Sequence, residues 1–114
     1  MNEERLRAAG IDYDGALMRF VQKREIYEKY LRKFLDDTHE AEALQAYRAQ
    51  KLDEMQERVH ALKGVSGTLG LLPLYNITAE IVQDLRTGNT QDLERKVARM
   101  QEENQKIREA IGGA

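Results

Sequence analysis

Between Leu52 and Gly70 the chain carries two signals that pull against each other, and together they restrict its fold more than any other feature. Leu52, Met55, Val59, Leu62 and Leu69 recur at steps of three, four or seven, the spacing of one face of an α-helix. Gly64, Gly67 and Gly70 nevertheless stand inside that pattern or at its end. Each interior glycine costs a helix about 1 kcal/mol relative to alanine. Elsewhere the chain fills its helical stretches with Ala, Leu, Glu, Lys, Arg and Gln, so glycines here ask for a reason. At about 100° per residue, His60 points away from the apolar stripe and towards water. Gly64 and Gly67, one and two turns on, fall near the meridian of His60, with Lys63 beside them. The imidazole would then stand on a face cleared of side chains on its C-terminal side, with an ammonium group close by. An exposed nucleophile that another protein must approach needs such a surface. A lone surface histidine beside a lysine usually has no role, and helix glycines often serve only close packing. The register of both glycines with Lys63 is what sets His60 apart.

The remaining chain reads as scaffold for one domain of 114 residues. A hydrophobic fraction of 41% allows one core, while 33% charged residues and a mean hydropathy of -0.69 describe a wet exterior. A net charge of -2 offers no basic field for nucleic acid. The absence of cysteine excludes disulfides, thiolate chemistry and cysteine-type zinc sites, and fits a cytoplasmic location. No apolar run approaches the roughly 20 residues of a membrane span, and no signal peptide is visible. One proline, no tryptophan and few β-branched residues favour helices over sheet.

In chain order, residues 1–10 read as a frayed helical lead-in. A short helix opens at Asp12 or Asp14, with Leu17, Met18, Phe20 and Val21 as candidates for burial. Ile26, Tyr27, Tyr30, Leu31, Phe34 and Leu35 make a wide stripe from Arg24 to Asp36, the tyrosines at the core edge with wetted hydroxyls. Asp37-Thr38 is the next break, with Glu40 placed for a capping box and His39 left solvated. Ala41, Leu44 and Tyr47 then mark a helix over residues 39–50. Its boundary near Gln50-Lys51 is open: either Asp53 caps the following helix later, or the two helices run on with little interruption. Pro73 suits a first helical turn, and Leu74, Ile77, Ile81 and Leu85 face inward, with Val82 beside them. Gly88-Asn89-Thr90 closes that helix and caps the last, whose stripe of Leu93, Val97, Met100, Ile107 and Ile111 is interrupted by Asn104. The expected architecture is all-α: an antiparallel four-helix bundle over residues 11–111, with one or two extra short N-terminal helices and a disordered tail at 112–114.

The run His60-Ala61-Leu62-Lys63-Gly64-Val65-Ser66-Gly67-Thr68-Leu69-Gly70 resembles the signature of the histidine phosphotransfer (HPt) domain, roughly H-x-L-K-G-x-(small)-x-x-(aliphatic)-G. Gly10-Ile11-Asp12 with Leu17, Arg19 and Phe20 resembles the family's N-terminal opening. Tyr27, Tyr30, Leu31 and Phe34 resemble its first bundle helix, and Arg86-Thr87-Gly88-Asn89 its R-x-G-[DN] break. Two positions depart from the family pattern: Gln50-Lys51 replaces a Gly-Asp-like break, and Val82 stands where a glutamate is common.

The resemblance implies that His60 accepts a phosphoryl group from the aspartyl phosphate of a response-regulator receiver domain and passes it to another receiver aspartate. A neutral imidazole has a free lone pair and needs no separate base for this. In a loose transition state, positioning and charge neutralisation supply most of the catalysis. Lys63 would contact the phosphoryl oxygens, Gln56 would hydrogen-bond the imidazole or phosphate, and Gly64 and Gly67 would form the receiver docking surface. Ser66 is small and near the stripe, so packing is its expected role. No P-loop or other nucleotide-binding glycine motif is present, so the chain is expected to be a carrier and not a kinase. With no acidic cluster for Mg²⁺, the expectation is no cofactor of its own, the metal coming with the receiver. The implied partners are receiver domains and a hybrid sensor kinase, with no nucleic acid and no membrane, the chain acting as a monomer. Two other readings differ in class. One is a helical adaptor that keeps the docking face without turnover. The other is a metal-binding bundle, for which Glu57-Arg58-Val59-His60 has Glu-x-x-His spacing but lacks a second motif.

Overall fold

The computed structural model describes residues 1–113. Seven α-helices follow one another: α1 (Glu3–Ala8), α2 (Tyr13–Arg19), α3 (Arg24–Lys33), α4 (His39–Arg48), α5 (Leu52–Leu69), α6 (Leu72–Thr87) and α7 (Leu93–Gly112). A 3₁₀ turn, Phe34–Asp36, extends α3. Connections over residues 49–51, 70–71 and 88–92 are too short for anything but antiparallel neighbours. Helices α4 to α7 therefore form the bundle, with α5 packed between α4 and α6, and α7 closing on α6. The expected all-α bundle is what the chain forms, although three short helices, α1, α2 and α3, precede it where one or two were expected.

Periodicity placed the core well in the long helices. Met55, Val59, Leu62 and Leu69 of α5, Leu74, Ile77, Ile81 and Val82 of α6, and Leu93, Val97, Met100, Ile107 and Ile111 of α7 are all buried. The short helices differ from expectation. Met18 and Val21 are 69% and 76% exposed: α2 buries only Tyr13, Ala16 and Leu17, and Val21 falls in the turn beyond its end at φ +53. In α4 the buried face is Ala43, Leu44 and Ala46, which leaves Ala41 outside. Leu52, the first residue of the α5 stripe and of α5 itself, is 38% exposed.

The boundary at Gln50-Lys51 is a full break, and it follows neither sequence alternative. Gln50 adopts φ +58, and the Lys51 N–H reaches back to the Ala46 carbonyl at 2.8 Å, which closes α4 with a left-handed cap. Glycine usually fills such a position, since a side chain there costs about 1–2 kcal/mol. Asp53 lies inside the first turn of α5, where its charge favours the helix N-terminus. The capping box at Thr38 does not form either. The Asp37 carboxylate accepts from the His39 N–H at 3.0 Å and holds the His39 ring at the same distance, so His39 is half-buried and paired, not solvated. At the other end, α7 runs through Gly112 and Gly113 caps it, so those two expected tail residues are ordered. Ala114 lies outside the described residues.

The N-terminal segment is the largest departure. Residues 1–10 were expected to fray, yet α1 is N-capped by Asn2 and its Leu6 is fully buried. Helix α1 is held by α7, on which it packs and where Arg5 donates to the Glu109 carbonyl at 3.3 Å. The segments that follow α1 are tied to the end of α5. A helix leaves its last four carbonyls without intrahelical donors, and here residues N-terminal to the bundle supply several. Arg19 donates to the Gly67 carbonyl at 2.8 Å and the Thr68 carbonyl at 3.2 Å. The Tyr27 hydroxyl, fully buried and not wetted, donates to the Leu69 carbonyl at 2.7 Å. The Asp12 N–H donates to the Gly70 carbonyl at 2.8 Å. Gly70 itself takes φ +75 with the Asp12 carbonyl oxygen 2.7 Å from where a Cβ would sit, so both backbone angle and space require glycine.

Candidate functional site

His60 lies near the middle of α5 and is exposed, on the side opposite the buried Met55, Val59 and Leu62. It lines a shallow cavity of about 300 Å³ together with Asp53, Gln56, Glu57 and Arg86. Four of these five residues come from α5 itself. Arg86 comes from the last turn of α6 and brings a cation into the same cavity from a second helix. Gln56, half-buried, shares this cavity with His60, and no hydrogen bond joins the two among the described residues.

The glycines divide. A Cβ on Gly64 would meet nothing within 4 Å. Gly64 forms part of a broad groove of about 680 Å³, with Val65, Thr68 and Leu69 of α5 on one side and Phe20, Ile26, Tyr30 and Phe34 on the other. Ile26 and Tyr30 leave 42% and 44% of their surface in water, so the groove offers apolar area beside the histidine. Gly67 is different. A Cβ there would come within 3.1 Å of two ring atoms of Tyr75 in α6. It was expected to help clear a docking face, but the space above it is taken by Tyr75.

Lys63 reaches towards the same ring, its Nζ lying 5.9 Å from the Tyr75 centroid. Ser66 is fully buried, as expected of a packing residue, although its hydroxyl has no hydrogen-bond partner among the described residues. Val82 is buried too, so α6 presents an aliphatic side chain at the position where a glutamate is common. Among the described residues no three His, Cys, Asp or Glu side chains are grouped so as to hold a metal ion. No helix among the described residues is long and apolar enough to cross a membrane.

No local sequence pattern marks Tyr75 or Arg86 as a site residue. A signal for both exists once α5 and α6 are taken as a hairpin folded about Leu71. Gly67 and Tyr75 stand four residues either side of that turn, and Gln56 and Arg86 stand fifteen. Equal distances from a tight antiparallel connection put residues at the same level of two neighbouring helices.

The site as built is an exposed imidazole one helical turn from Gly64, an open glycine that lines the apolar groove, with two cations, Lys63 and Arg86, on the surrounding surface. It can accept a group from a bulky partner and can offset developing negative charge. A family model described as Hpt domain matches residues 25–110, a span that includes His60, the groove residues of α3 and α5, and Arg86. No curated protein and no solved structure gives a significant match.

Proposed function

The chain belongs to the Hpt domain family, and from that premise we propose that it is a phosphorelay carrier whose acceptor is His60, working in the cytoplasm. The family is one of histidine-containing phosphotransfer carriers, and its partners are receiver domains. The observation that carries the assignment to this residue is the exposure of His60 one turn from Gly64, where nothing lies within 4 Å of a Cβ position. The other histidine, His39, is half-buried and held by Asp37 at 3.0 Å.

In the proposed reaction an imidazole nitrogen attacks the phosphorus of a receiver's aspartyl phosphate. The N–P bond forms as the P–O bond breaks, the aspartate carboxylate leaves with the electron pair, and the other ring proton of the imidazole passes to solvent water. Reversal onto a second receiver completes the relay. Such a transition state is loose, so the carrier's contribution is position and charge. Lys63 and Arg86 offset the phosphoryl charge that Asp53 and Glu57 would otherwise oppose, and Mg²⁺ comes with the receiver's own carboxylates. Gln56 lies in the same cavity and can donate a hydrogen bond to a phosphoryl oxygen. The open Gly64 and the groove running past Ile26, Tyr30 and Val65 supply the docking area. The chain acts as a monomer, and a hybrid sensor kinase is a fitting source of phosphoryl groups.

The test is acid-labile label transferred from a panel of phosphorylated receivers to the wild type and to His60→Ala. Label on the wild type alone is the expected result. No label from any receiver, in a protein shown to be folded, would replace the carrier with a non-transferring adaptor.

A further inference from the structure

We propose that Tyr75 is the positioning residue for Lys63: its ring seats the ammonium in the unphosphorylated protein and releases it when His60 carries a phosphoryl group. The inference rests on the carrier reading of His60. Three observations carry it. The Tyr75 ring lies against Gly67, so close that a single Cβ there would press on two ring atoms at 3.1 Å. The Lys63 Nζ lies 5.9 Å from the centroid of that same ring. No carboxylate pairs with Lys63 among the described residues.

Helix geometry gives the seat a direction. Gly67 is four residues C-terminal to Lys63, about 6 Å along the axis, whereas His60 is three residues N-terminal, about 4.5 Å the other way. A ring resting on Gly67 therefore draws the ammonium away from the imidazole. Absence of the Gly67 side chain is what allows the ring so near the α5 surface, which gives this glycine a role that an open docking face does not require. A cation over an aromatic face is held weakly at an exposed site. A phosphoryl group carries nearly two negative charges and several acceptor oxygens. Once it sits on His60 it outbids the ring, and the four-carbon stem of Lys63 is long enough to swing the ammonium across one helical turn.

The measurement is the proton chemical shift of the Lys63 side-chain methylenes before and after phosphorylation with phosphoramidate. That reagent forms an N–P bond to imidazole as its own P–N bond breaks, and ammonia leaves with the displaced ring proton as ammonium. In the resting wild type the methylenes next to Nζ should be displaced upfield by the ring current, and phosphorylation should abolish the displacement. Tyr75→Leu should remove it in both states, while Tyr75→Phe, which keeps the ring, should restore the wild-type response. A purely structural tyrosine would leave the Lys63 shift unchanged on phosphorylation, and that result overturns the inference alone. Absence of a ring-current shift in the resting protein does the same. Phosphorylation equal in wild type and His60→Ala overturns the carrier reading, and this inference with it.

Discussion

Replacing Tyr27 by phenylalanine removes a single oxygen atom from a residue that is fully buried. The ring keeps its neighbours, Tyr13 at 5.0 Å and Phe20 at 5.3 Å between centroids, so packing is nearly conserved. What is lost is the hydrogen bond to the Leu69 carbonyl at 2.7 Å. The helix cannot replace that donor. The residue four positions on is Pro73, which has no N–H, and α5 has already turned left-handed at Gly70. A buried carbonyl deprived of its partner costs about 1–3 kcal/mol. With a mid-range loss near 2 kcal/mol and a sensitivity of roughly 4 °C per kcal/mol at this chain length, Tm should fall by about 8 °C. Thermal unfolding followed by circular dichroism reads this directly. Hydrogen exchange should show the loss of protection concentrated at the end of α5. Tyr30→Phe is the control: Tyr30 is 44% exposed, and its substitution should stay within about 0.5 kcal/mol of the wild type. A Tm drop for Tyr27→Phe below about 2 °C would refute the claim that the N-terminal helices hold the end of the site helix.

Other outcomes follow from the same structure. Gln50→Gly relieves a side chain at φ +58 and should raise stability by about 0.5–1 kcal/mol in urea unfolding. Gly64→Ala and Gly67→Ala should part company. Alanine at 64 enters open space and gains about 1 kcal/mol of helix stability, while alanine at 67 presses on Tyr75 and gains less or loses. A larger residue, Gly64→Leu, should leave the fold intact and abolish label transfer from receivers. Arg86→Ala should slow transfer to His60 by about tenfold without shifting Tm appreciably, since one charge-stabilising donor is removed from an exposed site. Burial pushes the Glu40 carboxyl above its ordinary range, against the opposing pull of Asn104 and Arg108. The folded state therefore binds that proton more tightly than the unfolded chain, and the stability so gained is lost as pH rises through the folded pKa. Glu40→Gln should match the wild type in acid and exceed it in stability at neutral pH, as urea titrations across that range would show.

The long helices were legible because α5, α6 and α7 each bury a stripe against neighbouring helices, so helical period and burial coincide. His60 was legible for the opposite reason: a histidine off the stripe, in register with glycines, breaks the pattern conspicuously. The short N-terminal helices resisted because their role is not amphipathic burial. Arg19 and Asp12 act through a guanidinium and a backbone N–H on carbonyls roughly fifty residues later in the chain, and no local pattern encodes such a contact. Gln50 resisted because the left-handed cap there lacks the glycine that usually announces it. Gly67 was read with Gly64 as open surface, since an interior glycine looks the same in sequence whether solvent or a tyrosine ring occupies the space above it.

The caps of α5 bear on how this fold can be inherited. The family match begins at residue 25, whereas Asp12 and Arg19, which close the last turn of the helix carrying His60, lie before it. The unit that a shared pattern delimits is thus shorter than the unit that satisfies its own backbone. Gene fusions that splice another module directly onto residue 25 would carry over the histidine, the lysine and the open glycine, yet leave the Gly67 and Thr68 carbonyls without the Arg19 guanidinium. A fused module would have to supply replacement donors, or the recombinant would tolerate a frayed end one turn beyond Gly64. Grafts joined upstream of α1 inherit the carrier surface with its support intact.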